Sequence, residues 1–349
     1  MQQELNACII GLGKMGLLHA GILNSLNGVK ISAVAENEGI IANYIKESLP
    51  GIHVYEDSDK MFQSENLDIA FITTPVSSHY AIAQSCIKNK INFFIEKPLC
   101  KNLDEAIRLC DYLRGSTRLV HSVGFNRRFI DTFAKAKSLL NARVLGDITS
   151  VKSNMYVSNI FSKGTGWRSH KNISGGGVLL DLGSHVVDLL LWYFGPIETI
   201  ISSKLESIYS KEVDDAARAT VKFSSGVRGE LDTSWSAPGY RVPELNIEIT
   251  GSNGKLRVNE DFVMVDLVCA VTELPETRMK IFKQSLNAGV PVDLGGPEYT
   301  REDVHMVECV RQNKQTLVNA YEAARTQSVI ETMYDAAKGN SSRRVEYFG

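Results

Sequence analysis

Leu5-Asn6-Ala7-Cys8-Ile9-Ile10-Gly11-Leu12-Gly13-Lys14-Met15-Gly16 is the stretch whose reading decides the fold. Four apolar residues, 7 to 10, run straight into three glycines, and the helical spacing Met15, Leu18, Ile22, Leu26 begins at once. That order reads as strand, tight turn and helix. Within the G-x-G-x-x-G pattern, Gly11 permits the bend, Gly13 lets backbone N–H groups approach a pyrophosphate, and Gly16 allows close helix-to-strand packing. Lys14 and Met15 open the helix, whose N-terminus attracts an anion.

Working outward, apolar runs recur at residues 31–35, 69–72, 91–95 and 119–123, each separated from the next by a helical stretch. Continuous apolar strands alternating with helices are the rhythm of a parallel sheet covered on both faces. The expectation is an α/β Rossmann domain over residues 1–124. Its second strand ends at Glu36, twenty residues after Gly16, where a ribose-binding acid belongs. A carboxylate there accepts from the adenosine ribose hydroxyls and repels a 2′-phosphate, and Asn37 supplies no compensating cation. The expected cofactor is NAD rather than NADP.

After Gly124 the rhythm changes. A β-prone segment, 147–160, leads to Gly175-Gly176-Gly177 and an apolar helix over 178–194. Strand-like stretches follow at 199–208, 216–223, 227–235, 245–249 and 255–258, with turn signals at Ser224-Ser225-Gly226 and Ser252-Asn253-Gly254. Residues 125–349 are therefore expected to form an α+β domain with a large, mostly antiparallel open sheet, closed by helices near 300–312 and 320–338.

Composition narrows the function. A chain of 349 residues, 44% hydrophobic and 22% charged, has the balance of a two-domain globular enzyme. Thirty-eight basic and forty acidic side chains leave a net charge of −2 with no block of one sign, which argues against nucleic acid as a partner. No basic-then-apolar leader opens the chain, no run of eighteen uncharged apolar residues is visible, and the six cysteines form no CxxC pair. A cytoplasmic protein without a bound metal is expected.

Two constellations carry chemistry. Strand 91–95 runs into Glu96-Lys97-Pro98, and ligands of open parallel sheets collect beyond the carboxyl ends of the strands. Proline biases Lys97 toward extended geometry, which gives its ammonium a defined place. On the helix 178–194, Asp181, His185 and Asp188 follow at i, i+4 and i+7 and share one face. Burying three polar groups among Val178, Leu182, Val186 and Leu189 demands partners. Asp181 and His185 could satisfy each other, or they could serve a site; the residues alone leave both open.

The order of these motifs resembles the glucose-fructose oxidoreductase, inositol dehydrogenase and MocA (Gfo/Idh/MocA) family. The resemblance runs through the glycine turn, Thr74-Pro75 to His79, Glu96-Lys97-Pro98, Val123-Gly124-Phe125-Asn126-Arg127-Arg128-Phe129, the helix with Asp181, Gly183, His185 and Asp188, and the final helices. It implies an N-terminal Rossmann domain binding NAD(P) and a C-terminal domain that holds substrate and often builds an oligomer. By resemblance Lys97, Asp181 and His185 match the catalytic residues, Thr74, Pro75 and His79 match the loop near the nicotinamide half of the cofactor, and Glu96 matches the acid of the cofactor-binding Glu-Lys-Pro signature. Glu36 stands where many NAD-using members carry Asp.

The implied reaction is hydride transfer between a secondary alcohol and nicotinamide. His185 is the expected base because imidazole titrates near neutrality. Lys97 would stabilise charge on the reacting oxygen, and Asp181 would orient substrate and His185. Tyr156, Trp167 and Arg168, just ahead of the helix, are expected to face a cyclic polyol, sugar or nucleotide sugar. An NAD-dependent glycosidase using transient oxidation and a non-catalytic NAD sensor are the competing readings. A homodimer or homotetramer through the C-terminal sheet is also expected.

Overall fold

The computed structural model describes residues 4–49, 51–116, 118–159, 170–286 and 289–348. It divides into two compact units, Met1–Asn126 with Gly289–Ala324, and Arg127–Ala288 with Arg325–Gly349.

The first unit alternates strand and helix as its sequence rhythm predicts. Strands β1 (Leu5–Ile10), β2 (Val29–Ala35), β3 (His53–Tyr55), β4 (Ile69–Ile72), β5 (Asn92–Ile95) and β6 (His121–Val123) pair in parallel, in the order β3-β2-β1-β4-β5-β6. Helices α1 (Lys14–Ser25), α2 (Gly39–Ser48), α3 (Ser58–Ser64), α4 (His79–Lys88) and α5 (Leu103–Arg114) make the connections. This strand order is that of the doubly wound dinucleotide fold, whose topology reverses beside β1. The glycine turn, Glu36, Thr74 and Lys97 all follow carboxyl ends of these strands, so one edge of the sheet gathers them.

The second unit holds α6 (Asp131–Asn141), β7 (Ile148–Tyr156), α7 (Lys171–Ser174), one wide π-type turn over Leu179–Gly183, and α8 (Ser184–Phe194). Its sheet adds β8 (Ile197–Glu206), β9 (Ala216–Phe223), β10 (Arg228–Ser234), β11 (Glu244–Gly251), β12 (Gly254–Val258), β13 (Phe262–Leu267) and β14 (Arg278–Phe282). A short α9 (Lys283–Leu286) follows. The sheet order is β14-β13-β12-β11-β7-β10-β9-β8-β15, where β15 is Arg343–Arg344. Only β7 and β10 pair in parallel; the rest are antiparallel, with tight turns at Ser224–Gly226 and Ser252–Gly254. One face of the sheet buries Val151, Met155, Leu231 and Ile247 with α8 in a single core. The run Lys171–Phe194 is long and apolar enough to cross a membrane by composition, and most of it is buried.

The division at residue 124 needs correcting at its far end. Residues 289–324, read as part of the second domain, return to the first unit, bringing α10 (Pro297–Gln312) with them. Met306, Val307 and Cys309 of α10 share a core with Leu5, Ala7, Ile9 and Phe71. Helical periodicity identifies an apolar face but not the core that receives it. The last helix, α11 (Ala320–Gly339), contains the second division point.

Candidate active site

The glycine turn is built as its pattern requires. Gly11 sits at φ 89°, a conformation that L side chains rarely adopt. A Cβ at Gly16 would stand 2.0 Å from the Gly11 carbonyl oxygen, so only glycine closes this turn. At Gly13 nothing lies within 4 Å of a Cβ position, which leaves the backbone open to a ligand. Helix α1 starts with no side-chain cap and no acidic residue in its first turn, so its N-terminal amides suit a pyrophosphate. Glu36 is buried beside the turn, accepting the Leu12 N–H at 2.6 Å and the Glu38 N–H at 2.8 Å. Each carboxylate oxygen retains a second lone pair, the acceptor chemistry that ribose hydroxyls need. The donor set therefore fits NAD.

Thr74, Pro75, His79, Glu96 and Lys97 form one connected group at the same sheet edge. Thr74 packs against the glycine turn, its Cγ2 2.8 Å from where a Gly11 Cβ would be. Buried His79 has Nδ1 2.9 Å from the Pro98 carbonyl oxygen and Nε2 2.9 Å from that of Thr74, and a neutral ring donates to one of the two at a time. Burial pushes its pKa down, against the pull of those carbonyls. Glu96 accepts the Lys97 N–H at 3.1 Å, and its other oxygen lies 3.2 Å from His19 Nε2. His19 is fully buried, with Nδ1 2.8 and 2.9 Å from the two oxygens of Asp303. Burial opposes its charge, but the charge and hydrogen bond of Asp303, together with Glu96, prevail and raise its pKa to about 10. The fold therefore favours its protonated form.

In the second unit, the glycine run lets the helix start against Asp214. A Cβ at Gly177 would fall 2.0 Å from the Asp214 carbonyl oxygen. The Asp214 carboxylate accepts the Gly177 and Leu179 N–H groups at 3.2 and 2.8 Å and the Tyr334 hydroxyl at 3.0 Å, capping the wide turn. That turn carries Asp181, and α8 continues directly with His185. Turns of this width occur frequently at functional sites. Asp181 is half-buried and accepts the indole N–H of Trp235 on Oδ2 at 3.1 Å. Asp188 is fully buried and forms a two-point ion pair with Arg128, at 2.9 Å to Nε and 2.7 Å to the terminal nitrogen. Its role is to fasten α8 to the Asn126–Phe129 turn.

Tyr156 is not brought to Asp181. Its neighbours Met155 and Val157 enter the core with Trp235, so alternation along β7 turns Tyr156 to the opposite face. There it meets Tyr240 edge to face and lines an open groove of about 850 Å³ with Lys152, Asn154, Arg218 and Asp232. Trp167 and Arg168 lie outside the described residues. Sequence reasoning missed His19, Asp303 and Trp235. The signal for His19 was a lone polar residue on the buried stripe Gly16, His19, Ile22, Leu23 of α1. Among the described residues no group of three or more metal-ligating side chains comes together.

Comparison with known proteins adds the following. Residues 5–125 match the oxidoreductase family with an NAD-binding Rossmann fold, and residues 133–257 match the GFO/IDH/MocA C-terminal domain. The chain is 24% identical over 337 residues to the scyllo-inositol 2-dehydrogenase (NAD(+)) of Bacillus subtilis, covering 93% of this chain and 91% of that one. It is 26% identical over 255 residues to the myo-inositol 2-dehydrogenase of Thermotoga maritima, covering 71% and 73%. Among solved structures, levoglucosan dehydrogenase in complex with NADH and L-sorbose superposes with a TM-score of 0.88 at 20% identity, over 99% of this chain and 100% of that one.

Proposed function

This chain belongs to the Gfo/Idh/MocA family of NAD-binding oxidoreductases, and from that premise we propose that it oxidises a secondary alcohol of a cyclic polyol or sugar. The observation that carries the substrate class is the match to an inositol dehydrogenase along 93% of the chain, in a sequence that keeps Lys97, Asp181 and His185. The glycine turn and Glu36 would hold NAD, which would accept the hydride from the substrate. His185 takes the hydroxyl proton, since imidazole accepts and returns a proton near neutrality. Lys97 donates to the reacting oxygen as negative charge develops on it. Asp181, held by Trp235, orients the substrate hydroxyls. Preference for NAD over NADP rests on Glu36, whose carboxylate would meet a 2′-phosphate with like charge.

The test follows NADH absorbance when protein and NAD meet inositols, free sugars, sugar acids and nucleotide sugars, with Lys97→Ala as control. A signal from inositols or sugars that the variant lowers by ~10²-fold or more, leaving a measurable residual rate, supports the proposal. Turnover of aryl glycosides without net NADH would instead favour a glycosidase. Self-association through the outward face of the nine-stranded sheet belongs to the same proposal, and a monomer in light scattering at micromolar concentration would remove it.

A further inference from the structure

Two buried histidines bracket the tetrapeptide that carries Lys97. On one side, His19 holds the Glu96 side chain, and that same carboxylate accepts the Lys97 backbone N–H. On the other, His79 holds the Pro98 carbonyl oxygen at 2.9 Å. Neither imidazole is anchored only to this loop. His19 is fixed by both oxygens of Asp303 on α10 and packs against the stacked pair Phe71 and Phe94, with ring centroids 5.6 and 4.8 Å away. His79 Nε2 also lies 2.9 Å from the Thr74 carbonyl oxygen, so the one N–H of the ring has an acceptor in either tautomer, and Thr74 packs on the glycine turn.

Space around Glu96 is closed from a third direction. A Cβ on Gly124 would stand 3.0 Å from Glu96 Oε2 and 3.2 Å from the Phe94 ring. A carboxylate so confined has little freedom to swing, and the residue hydrogen-bonded to it shares that restriction. Side chains that must meet a reacting atom need placement to a fraction of an ångström, and such placement comes from surrounding groups whose own positions are fixed.

We propose that His19 and His79 are positioning residues for Lys97, each gripping the residue on one side of it. The α1 helix behind the pyrophosphate turn, the Thr74 loop and α10 are thereby coupled to the place of a single ammonium. The inference rests on the reading of Lys97 as catalytic, and its test is arranged so that the two can fail separately.

The direct readout is the acetylation rate of Lys97 by acetic anhydride, followed by peptide mass spectrometry in wild type, His19→Asn and His79→Asn. Exposed Lys60 and Lys88 of the same unit serve as internal references. Release of either grip is expected to raise the Lys97 rate roughly threefold or more while the references hold. Unchanged Lys97 rates in both variants would overturn the proposal. If all lysines speed up together in His19→Asn, Asp303→Asn takes its place, because it keeps the imidazole and removes the carboxylate that fixes it.

The second readout is a double-mutant cycle on turnover of the polyol or sugar found in the panel. His19→Asn and His79→Asn should each lower kcat by ~10- to 100-fold with little change in KM for NAD. In a Lys97→Ala background the same substitutions should cost almost nothing further, because they act through the missing ammonium. Additive losses would overturn the positioning role. A fully active Lys97→Ala enzyme would strike the catalytic reading of Lys97 instead, leaving the acetylation result to decide the geometry.

Discussion

The indole N–H of Trp235 donates to Asp181 Oδ2 at 3.1 Å, joining the residue after β10 to the wide turn ahead of α8. Trp235 is itself buried, so its ring cannot turn away and the carboxylate is held in one orientation. Trp235→Phe keeps the packing and removes the donor. A hydrogen bond to a charged group contributes about 1.5 to 3 kcal/mol, so kcat/KM should fall by ~10- to 100-fold. NADH affinity, measured by fluorescence titration, should not move.

Glu36 predicts cofactor choice. Wild type should show kcat/KM for NAD at least ~10-fold above that for NADP. Glu36→Ala should narrow the ratio and weaken both cofactors, because the Leu12 and Glu38 N–H groups lose their acceptor. Equal use of NAD and NADP by the wild-type enzyme would sink the ribose assignment.

The ion pair between Arg128 and Asp188 is a stability element placed one turn from His185. Removing one partner of a buried pair leaves an uncompensated charge and costs about 3 to 5 kcal/mol. Asp188→Ala should therefore lower the melting temperature by roughly 6 to 20 °C. At temperatures where the variant stays folded, kcat should be nearly that of wild type. A double variant, Arg128→Met with Asp188→Leu, should recover most of the lost stability. A variant that melts normally but is inactive would reverse this assignment.

His19 makes stability depend on pH in a stated direction. Its pKa is about 10 in the folded protein against an ordinary 6.5, so the folded state binds the proton more tightly. The stabilisation is complete below about pH 6.5 and is lost as pH rises through about 10. The charged neighbours are Asp303 and Glu96, with Glu302 pushed by burial well above the usual carboxylate range. Calorimetry from pH 6 to 10 should show wild type losing its advantage over His19→Gln steadily across that window. Parallel curves would mean that the imidazole is neutral.

How much of this was legible in the sequence depends on the reach of each contact. The Rossmann unit could be read because its signals are local: an apolar run, three glycines and an acid twenty residues on. Asp181, His185 and Lys97 were legible as polar groups in apolar or strand-end settings. Tyr156 shows a local signal misread, because its alternation with Met155 and Val157 already assigned it to the other face. The wide turn at Leu179–Gly183 has no pattern of its own in the residues. The contacts of His19 and Asp181 were out of reach for a different reason: His19 and Asp303 lie 284 residues apart, and Asp181 and Trp235 lie 54 apart. No periodicity relates positions so distant.

That separation also sets an order of events during synthesis. Chains emerge at ~5 to 20 residues per second, so α10 leaves the ribosome roughly 15 to 60 s after α1. Through that interval the nascent first unit lacks Met306 and Val307 for its core and the Asp303 carboxylate that holds His19 Nδ1. The nucleotide-binding unit is the first to begin and cannot be completed until strands β7 to β14 of the second unit have been made. A chain stopped just before Pro297 would carry every residue of the glycine fingerprint and still leave His19 with Glu96 alone, without the Asp303 carboxylate.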